Sequence, residues 1–354
     1  MPTVLVTGGA GFIGSNFVRL LHQERPHWQV VNLDLLTYAG NAENLADLAG
    51  DPRYIFVHGD VADWDAVTSL FARHAIDRVV HFAAETHVDR SILDPGVFVR
   101  TNVVGTYTLI EAAREAWHRD GGYGETRFLH VSTDEVYGSL AAGDPPTTEH
   151  SPYAPSSPYA ASKAAADWLV RSYVRTYGFP ALITNCSNNY GPYQFPEKLI
   201  PLVLCQALEG KPIPIYGRGD NVRDWLFVTD HCRAALTVLE EGTAGETYNI
   251  GAGEERTNLD LVHRLLGILG ELRPELGDLT RLITFVPDRP GHDFRYALNT
   301  EKITRTLGWR PRVSLAQGLR RTIAWYLEHQ DWLNRVRTGE YRRFLEQQYH
   351  GRTK

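Results

Sequence analysis

The chain contains 354 residues, 43% of them hydrophobic and 22% charged, with 36 basic and 42 acidic side chains. This length can bury the core of one large domain or of two fused domains, and the apolar content excludes a disordered, collagen-like or coiled-coil chain. The formal net charge of −6 argues against broad nucleic-acid binding, so an anionic ligand would have to be held by locally placed basic groups.

Apolar runs alternate with helical segments in the first part of the chain, which predicts βαβ units and a parallel sheet covered on both faces. The predicted strands are Thr3–Thr7, Gln29–Leu33, Tyr54–His58, Arg78–Phe82, Arg127–Ser132 and Ala181–Asn185. The predicted helices include Phe12–Gln23, Trp64–His74, Phe98–Trp117 and Pro158–Tyr177. We expect an α/β fold with a doubly wound parallel sheet of the Rossmann type and a smaller mixed α/β substrate-binding domain.

The character of the sequence changes after Asn185, because Ser187–Pro196 and Lys211–Asp220 are rich in turn-forming residues and are predicted to be loops. We expect the Rossmann-type domain over residues 1–185, with returns near 225–250 and 300–330 and with Trp225–Glu241 rejoining the main sheet. The substrate-binding domain is expected mainly over residues 186–330. The charged and aromatic tail, residues 331–354, is predicted to be helical.

Neither a metal site nor a membrane segment is expected. The three cysteines, Cys186, Cys205 and Cys232, form no CxxC pair, which argues against a disulfide framework and a structural zinc site. The N-terminus lacks a signal sequence, and the apolar stretch Leu199–Leu208 is too short to span a bilayer. We therefore expect a cytoplasmic protein.

A glycine-rich turn lies between the first predicted strand and the first predicted helix. It fits GxGxxG through Gly9, Gly11 and Gly14, and GxxGxxG through Gly8, Gly11 and Gly14. Such glycines permit a tight turn and close approach of a pyrophosphate to the free N–H groups of a helix N-terminus, although a glycine-rich βα turn can also be only a turn. Asp34 follows 20 residues after Gly14, where a carboxylate can accept hydrogen bonds from a ribose or form a turn. Because Leu35 and Leu36 follow it and no arginine is adjacent, the pattern favours NAD over NADP.

Tyr159 and Lys163 are predicted to share one helix face, since they lie four residues apart. A phenol is a weak base at neutral pH, and a nearby ammonium favours its ionised form by lowering its pKa. Lysine is scarce in this chain, with five among the 36 basic residues, so a lysine at this position is notable. The Tyr–Lys pair resembles that of the extended short-chain dehydrogenases/reductases.

The fifth predicted strand ends at Ser132-Thr133-Asp134-Glu135, where ligands of open α/β sheets bind. Both carboxylates could reach one ligand only if the chain turns after Ser132, because neighbouring side chains of a strand face opposite ways. The alternative is a helix-capping box formed by Ser132 and Glu135.

Nine motifs together resemble the dTDP-glucose 4,6-dehydratase family. They are GGAGFIG, LTYAGN, AAETHVDRS, STDEVYG, YAASK, NCSNNYGPYQFPEKLIP, PIYG, RDW and DRPGHD, and they occur in order from residue 1 to about residue 330. The resemblance implies conversion of dTDP-glucose to dTDP-4-keto-6-deoxy-glucose and water, with NAD as cofactor. Other NAD-dependent nucleotide-sugar 4,6-dehydratases or 4-epimerases are the alternative enzymes, and a nicotinamide-sensing regulator without catalysis is the alternative of another class.

The resemblance also implies roles for individual residues. Tyr159, aided by Lys163 and Thr133, would take the proton of the sugar O4, Glu135 would remove the C5 proton, and a protonated Asp134 would protonate the leaving C6 hydroxyl. The implied NAD contacts are Gly8, Gly11, Phe12, Ile13, Gly14, Asp34, Leu35, Leu36, Thr37, Asp60, Val61, Phe82, Ala83, Ala84, Thr86, Thr101, Tyr159, Lys163 and Asn189. Asp60 could instead serve only to form a turn.

The implied substrate contacts surround the diphosphate, the thymine and the sugar. They are Thr86, Thr133, Asn188, Glu197, Lys198, Leu199, Pro214, Ile215, Tyr216, Arg223, Asn258, Asp288, Arg289 and His292. Arg223 and Arg289 suit a diphosphate because the guanidinium is a planar donor of several hydrogen bonds. Tyr216 could flank the base or pack in the core. The resemblance further implies a homodimer formed through the helices Phe98–Trp117 and Pro158–Tyr177.

Overall fold

Seven parallel strands form the central sheet of the structure, a computed structural model that describes residues 2–119 and 121–337. The strands of the described chain are β1 (Thr3–Thr7), β2 (Gln29–Asp34), β3 (Tyr54–His58), β4 (Arg78–His81), β5 (Arg127–Thr133), β6 (Ala181–Cys186), β7 (Asn188–Tyr190), β8 (Ile213–Tyr216), β9 (Val222–Phe227), β10 (Thr247–Ile250), β11 (Glu255–Thr257) and β12 (Ile283–Val286). The central order is β10-β6-β5-β4-β1-β2-β3, and all its neighbours are parallel. The predicted parallel α/β sheet is therefore confirmed.

Helices follow most of the strands. In the described residues they are α1 (Phe12–Glu24), α2 (Trp64–Arg73), α3 (Val88–Leu93), α4 (Pro95–Phe98), α5 (Gly105–Trp117), α6 (Pro158–Tyr177), α7 (Leu199–Leu208), α8 (Val228–Glu241), α9 (Asn258–Leu272), α10 (Glu301–Leu307), α11 (Leu315–Glu328) and α12 (Gln330–Val336). The predicted helix Phe98–Trp117 is not regular, because a π-helical turn over Val99–Val104 joins α4 to α5. None of the helices in the described ranges is long and apolar enough to cross a membrane.

Helices cover both faces of the central sheet, so consecutive strand residues are buried in cores on opposite faces. On β1, Val4 and Val6 belong to one core with residues of α1 and α8, whereas Leu5 belongs to a second core with residues of α2, α5 and α6. Because β1, β4, β5 and β6 are parallel, their carboxyl ends lie along one edge of the sheet. The residues that follow these strands consequently surround one crevice.

A separate core is built from α7, α9, α11 and α12 around two small sheets, β11-β9-β7 and β12-β8. The two predicted loops differ from expectation, since Ser187–Pro196 contains β7 and Lys211–Asp220 contains β8. Trp225 lies on β9 in a small sheet, whereas α8 packs on the central sheet and β10 joins it. Of the predicted helical tail, α12 is helical up to Val336, and residues 338–354 lie outside the described residues.

Candidate active site

The glycine-rich turn joins β1 to α1 and leaves no space for side chains at two positions. A Cβ on Gly8, whose φ is +71°, would lie 2.7 Å from the Ala83 nitrogen, and a Cβ on Gly14 would lie 2.2 Å from the Gly8 oxygen. Helix α1 begins after Gly11 without a side-chain cap or an acidic residue in its first turn. Its first N–H groups are therefore available to an anion, which fits the pyrophosphate of a dinucleotide.

Asp34 ends β2 and forms the turn that was considered for it. Its Oδ2 accepts a hydrogen bond from the Ala10 nitrogen at 2.9 Å, and its Oδ1 accepts one from the Leu36 nitrogen at 2.8 Å. Burial raises the pKa of Asp34, although these two hydrogen bonds lower it. The carboxylate thus shapes the turn and lines the crevice, and its oxygens have lone pairs beyond the two that accept these hydrogen bonds.

One cavity, here called the main cavity, runs from the glycine-rich turn to the end of β5. It brings together most of the predicted cofactor and catalytic residues: Gly8, Gly11, Phe12, Ile13, Gly14, Asp34, Leu35, Thr37, Asp60, Val61, Phe82, Ala83, Ala84, Thr86, Thr101, Thr133, Asp134, Glu135, Tyr159, Lys163, Asn188, Asn189, Glu197 and Lys198. Leu36 is not part of this lining. Asp60 forms a turn through the Ala62 nitrogen and an ion pair with Arg100 at 2.9 Å.

Tyr159 and Lys163 lie on one face of α6, as predicted, and both are buried. Ser157 caps this helix by accepting a hydrogen bond from the Ala160 nitrogen, and Pro158 occupies its first position, which explains where the helix begins. The Nζ of Lys163 donates to the Val131 oxygen at 2.8 Å, so the ammonium is anchored to β5. The ring of Phe98 packs edge-on against Tyr159 with 6.3 Å between centroids.

The phenol of Tyr159 differs from the sequence-based expectation. Burial and the Glu135 carboxylate raise its pKa well above the usual value, whereas a hydrogen bond with Thr133 lowers it. Burial likewise lowers the pKa of Lys163, against the attraction of Asp167, which lies one turn further along α6. The phenol is thus more strongly held in its protonated form than the spacing of the pair implied.

The chain turns after β5, which allows Asp134 and Glu135 to reach the same cavity. A short 3₁₀ turn covers Asp134–Tyr137, and the Thr133 hydroxyl accepts its capping hydrogen bond from the Glu135 nitrogen at 3.3 Å. Ser132 does not form the alternative capping box, because its hydroxyl donates to Asp167 at 2.9 Å. The cap of this turn is therefore Thr133.

The two carboxyl groups have different electrostatic surroundings. Burial, Glu135 and Asp224 raise the pKa of Asp134 well above its usual value, and its Oδ2 is buried without a hydrogen-bond partner. Burial also raises the pKa of Glu135, but Arg289, Lys198 and Arg223 oppose that shift. These surroundings favour the protonated form of Asp134, whereas the neighbouring cations favour the anionic form of Glu135.

Several predicted substrate residues form a cluster beside Glu135. The Tyr216 hydroxyl donates to Asp89 at 3.2 Å, an Arg289 nitrogen lies 3.9 Å from the same carboxylate, and the His292 ring contacts Tyr216. Asp288 accepts from His292 at 2.6 Å, while burial lowers the pKa of His292 to about 4. Tyr216, Asp288, Arg289 and His292 do not line the main cavity, but Arg289 lies near enough to Glu135, which does, to lower the pKa of that carboxyl group.

The remaining predicted substrate residues are held mainly by the protein itself. Arg223 is buried against Tyr296 and donates to the carbonyl oxygens of Val222, Asp293 and Phe294. Ile215 and Leu199 pack in the core around α7 and α9, and Pro214 neighbours Ile215 on β8. Asn258 begins α9, where its nitrogen donates to the Asn221 oxygen at 2.9 Å.

Sequence reasoning missed a buried cluster at the cavity wall. Arg90 donates to Glu197 at 3.2 Å and lies 3.7 Å above the ring of Tyr38, which in turn contacts Phe195. Lys198 donates to the Thr86 oxygen at 2.9 Å. The motifs AAETHVDRS and LTYAGN contain Arg90 and Tyr38, but their pairing with Glu197 has no local signal.

Asn102 was missed as well, and it holds the segment after β4 in place. Its Oδ1 accepts from the Glu85 nitrogen at 2.9 Å, and its Nδ2 donates to the Glu85 oxygen at 3.0 Å and to the Ser162 hydroxyl at 2.8 Å. These bonds connect the cavity wall at Glu85 to α6, which carries Tyr159 and Lys163.

Comparison with known proteins gives consistent matches along the chain. A family model described as GDP-mannose 4,6 dehydratase matches residues 5–322. The dTDP-glucose 4,6-dehydratase 1 of Escherichia coli strain K12 is 53% identical over 99% of this chain and 99% of that protein. DesIV, a dTDP-glucose 4,6-dehydratase from Streptomyces venezuelae solved with NAD and dTDP, is 51% identical, with a TM-score of 0.87 over 94% of this chain and 99% of that one.

An epimerase is also similar in structure but less so in sequence. The UDP-glucose 4-epimerase from Thermotoga maritima, solved with UDP-glucose, is 30% identical, with a TM-score of 0.82 over 93% of this chain and 99% of that one. At nearly equal coverage, the chain is therefore more similar to the two dehydratases than to this epimerase.

Proposed function

The chain belongs to the dTDP-glucose 4,6-dehydratase family, and from this premise we propose that its main cavity binds NAD and converts dTDP-glucose to dTDP-4-keto-6-deoxy-glucose and water. The observation that carries the proposal is that Asp134 and Glu135 line the same cavity as Tyr159 and Lys163, with burial raising the pKa of Asp134 and three cations opposing the rise of the Glu135 pKa. A carbonyl-assisted elimination needs this combination of an acid and a base.

The residues of the glycine-rich turn fit NAD. Gly8 and Gly14 leave space where a Cβ would collide, the first turn of α1 presents N–H groups, and Asp34 lines the adenosine side of the cavity. NAD bound here supplies hydride acceptance at C4 of the sugar and hydride return at C6, so the overall reaction is redox-neutral. Lys163 and Tyr159 line the opposite end of the same cavity, where a nicotinamide would meet the sugar.

Tyr159 takes the proton of the sugar O4 in this proposal. Because burial raises the pKa of Tyr159, its action as a base depends on positive charge nearby, and Lys163 provides it one helical turn away. The Thr133 hydroxyl forms a hydrogen bond with Tyr159 and so orients the phenol oxygen. Oxidation at C4 then makes the C5 proton acidic.

Glu135 and Asp134 carry out the elimination. Glu135 accepts the C5 proton, while Asp134 donates its proton to the C6 hydroxyl, which leaves as water. Hydride returns to C6, and Glu135 returns a proton to C5. The environments support these roles, since Lys198, Arg223 and Arg289 stabilise the anion of Glu135 and burial keeps Asp134 protonated.

The substrate diphosphate is assigned to the basic residues beside Glu135. Arg289 and Lys198 lie close enough to Glu135 to lower its pKa, and Lys198 lines the main cavity. Tyr216, whose ring borders His292, would flank the thymine. Asn188, with a buried Oδ1 that has no hydrogen-bond partner, is assigned a polar contact with the sugar nucleotide.

A water-loss assay tests the proposed function. Purified protein is incubated with dTDP-glucose and with UDP-glucose in parallel, without added reductant, and the products are examined by mass spectrometry. We expect loss of one water from dTDP-glucose and near-complete loss of this activity in Glu135→Gln. Glu328→Gln, which changes an exposed carboxylate at the end of α11, is the matched control and should retain activity. Unchanged sugar, or only its 4-epimer, contradicts the dehydratase assignment.

We also propose a homodimer that buries the outer face of α5 and α6. Exposed apolar side chains are concentrated there, with Val104 41%, Tyr107 45% and Trp168 51% exposed, and Ala161 and Ala165 lie on the same face of α6 as Trp168. Exposed apolar side chains on neighbouring helices are typical of an interface. Light scattering should show that Trp168→Arg is a monomer, whereas Trp64→Arg, a change at an exposed tryptophan of α2, should remain a dimer.

The cytoplasm is the proposed location. The three cysteines are buried free thiols, which is typical of a reducing compartment. Fractionation of cells that produce the protein tests this location.

A further inference from the structure

The last described helix, α12, contacts the cofactor side of the molecule through Trp332. This indole is 6% exposed, and its Nε1 donates a hydrogen bond to Oδ1 of Asn44 at 2.8 Å. Asn44 is 1% exposed and lies in the 3₁₀ turn Ala42–Leu48, which follows the segment after Asp34. The C-terminal part of the chain is therefore bonded to a residue that lies 288 positions earlier.

The Asn44 amide continues the connection to the glycine-rich turn. Its Nδ2 donates to the Ala10 oxygen at 2.9 Å, and the Ala10 nitrogen donates to Oδ2 of Asp34 at 2.9 Å. Three consecutive hydrogen bonds thus run from Trp332 through Asn44 and Ala10 to Asp34. Both elements proposed to hold NAD, the glycine-rich turn and the Asp34 carboxylate, are tied to this chain of bonds.

Each end of the connection is anchored in a different core. Trp332 packs in the core around α7, α9 and α11, where its ring contacts Trp325 and Tyr326. On the other side, Arg19 of α1 donates to the Asn44 oxygen at 2.6 Å, which holds the backbone of the same turn. The Oδ1 of Asn44 is thereby held by Trp332 of α12, and its backbone oxygen is held by Arg19 of α1.

We propose that Trp332 and Asn44 are positioning residues that keep the NAD-binding turn in its bound shape and so retain NAD through the catalytic cycle. The inference rests on the proposed function. Without the indole N–H, the Asn44 Oδ1 is left buried without a donor, and its amide is no longer fixed toward Ala10. NAD binding must then order the turn, and this ordering cost weakens the affinity for NAD.

Trp332→Phe removes the indole N–H while keeping an aromatic ring in the core. We expect the Kd for NAD, measured by calorimetry on protein freed of nucleotide, to rise at least fivefold, and NAD to dissociate faster from the holoenzyme. The kcat at saturating NAD should stay within about twofold, because neither residue lines the main cavity. Trp325→Phe is the matched control, since Trp325 packs in the same aromatic group and stacks on His329, and its Kd should stay within twofold of the parent value.

A second variant keeps the inference testable if Trp332→Phe folds poorly. Asn44→Leu removes both side-chain hydrogen bonds at similar volume and should raise the Kd for NAD at least as much. If the residues act through one connection, the double variant binds NAD no more weakly than Asn44→Leu alone. NAD affinity unchanged in both folded single variants overturns the inference, and additive losses overturn the connection. A parent protein that binds no NAD would instead overturn the proposed function.

Discussion

Replacement of Asp134 by asparagine should remove the proton donor of the elimination and leave the shape of the site nearly unchanged. The Thr133 hydroxyl donates to Oδ1 of Asp134 at 3.2 Å, and an asparagine amide oxygen can accept the same bond. Burial and the neighbouring Glu135 raise the pKa of Asp134 well above its usual value, which favours the neutral carboxyl group, and a neutral amide has the same charge as that form. The substitution therefore isolates the loss of an acidic proton.

The expected size of the effect follows from the usual contribution of general acid catalysis. A positioned acid contributes about 10²–10⁴ in rate, or roughly 3–5 kcal/mol of barrier. We expect Asp134→Asn to slow water loss by this factor, measured by rapid quench and mass spectrometry. The first hydride transfer, followed in a single turnover by NADH absorbance, should slow by less than about tenfold, since Tyr159 and Lys163 are unchanged.

The same variant has a predicted effect on stability, with a defined sign. An unfolded aspartate loses its proton near pH 4, whereas the folded Asp134 keeps it, because its pKa is raised. The unfolded state therefore binds fewer protons, and the free energy of unfolding of the parent falls as the pH rises from about 4 toward the folded pKa. Asparagine has no such penalty, so Asp134→Asn should melt at the same or a higher temperature at pH 7.

Two results would refute this reasoning. Equal slowing of hydride transfer and water loss would show that Asp134 acts before the elimination or only in binding. The second concerns the difference in melting temperature between Asp134→Asn and the parent. If this difference were more negative at pH 7 than at pH 4, the folded carboxyl would be ionised at pH 7.

Three further predictions concern the helix and the turn that frame the cavity. Lys163→Arg should lower the rate of NADH formation at least 100-fold despite the retained charge, because Lys163 is only 4% exposed and a guanidinium is larger and differently directed than an ammonium; near-normal turnover would show that the lysine is incidental. Gly14→Ala should weaken NAD binding at least tenfold in calorimetry, since the added Cβ would lie 2.2 Å from a backbone oxygen. The control is Gly267→Ala in α9, where a Cβ meets nothing within 4 Å; this variant should bind NAD normally and have a slightly higher melting temperature. Asp167→Asn should lower the pKa of Lys163 by removing a nearby negative charge, so the alkaline limb of kcat against pH should move to lower pH; an unmoved limb contradicts this coupling.

The central sheet could be predicted because its signals are local. The bounds of β1 and β3 agree with the predicted strands, and α6 begins and ends as predicted, with Ser157 capping one end and Gly178 at φ +63° closing the other. The strands β7 and β8 could not be predicted in the same way. They contain three and four residues, and they exist because β9 and β12 pair with them, and those partners lie far along the chain.

The same distinction between local and long-range interactions applies to the site. Glycine spacing and the position of Asp34 predicted the cofactor turn, because both act through the local backbone. The ion pair of Arg90 with Glu197 joins residues separated by 107 positions, so no local sequence pattern predicts it. The pKa of Tyr159 was also beyond the reach of spacing, since burial beside Phe98 and Glu135 determines its direction.

The uncapped start of α1 has a consequence for how the protein responds to pH. The groups proposed to bind a pyrophosphate there are backbone N–H groups, which do not titrate in the physiological range, and the first turn of the helix has no acidic residue. Phosphate binding by these groups should therefore not change with pH, whereas the groups proposed for the chemistry, Asp134, Glu135 and Tyr159, are all ionisable. Phosphate binding is assigned to backbone groups and catalysis to ionisable side chains. A change of pH can therefore alter the rate of turnover without releasing the phosphates.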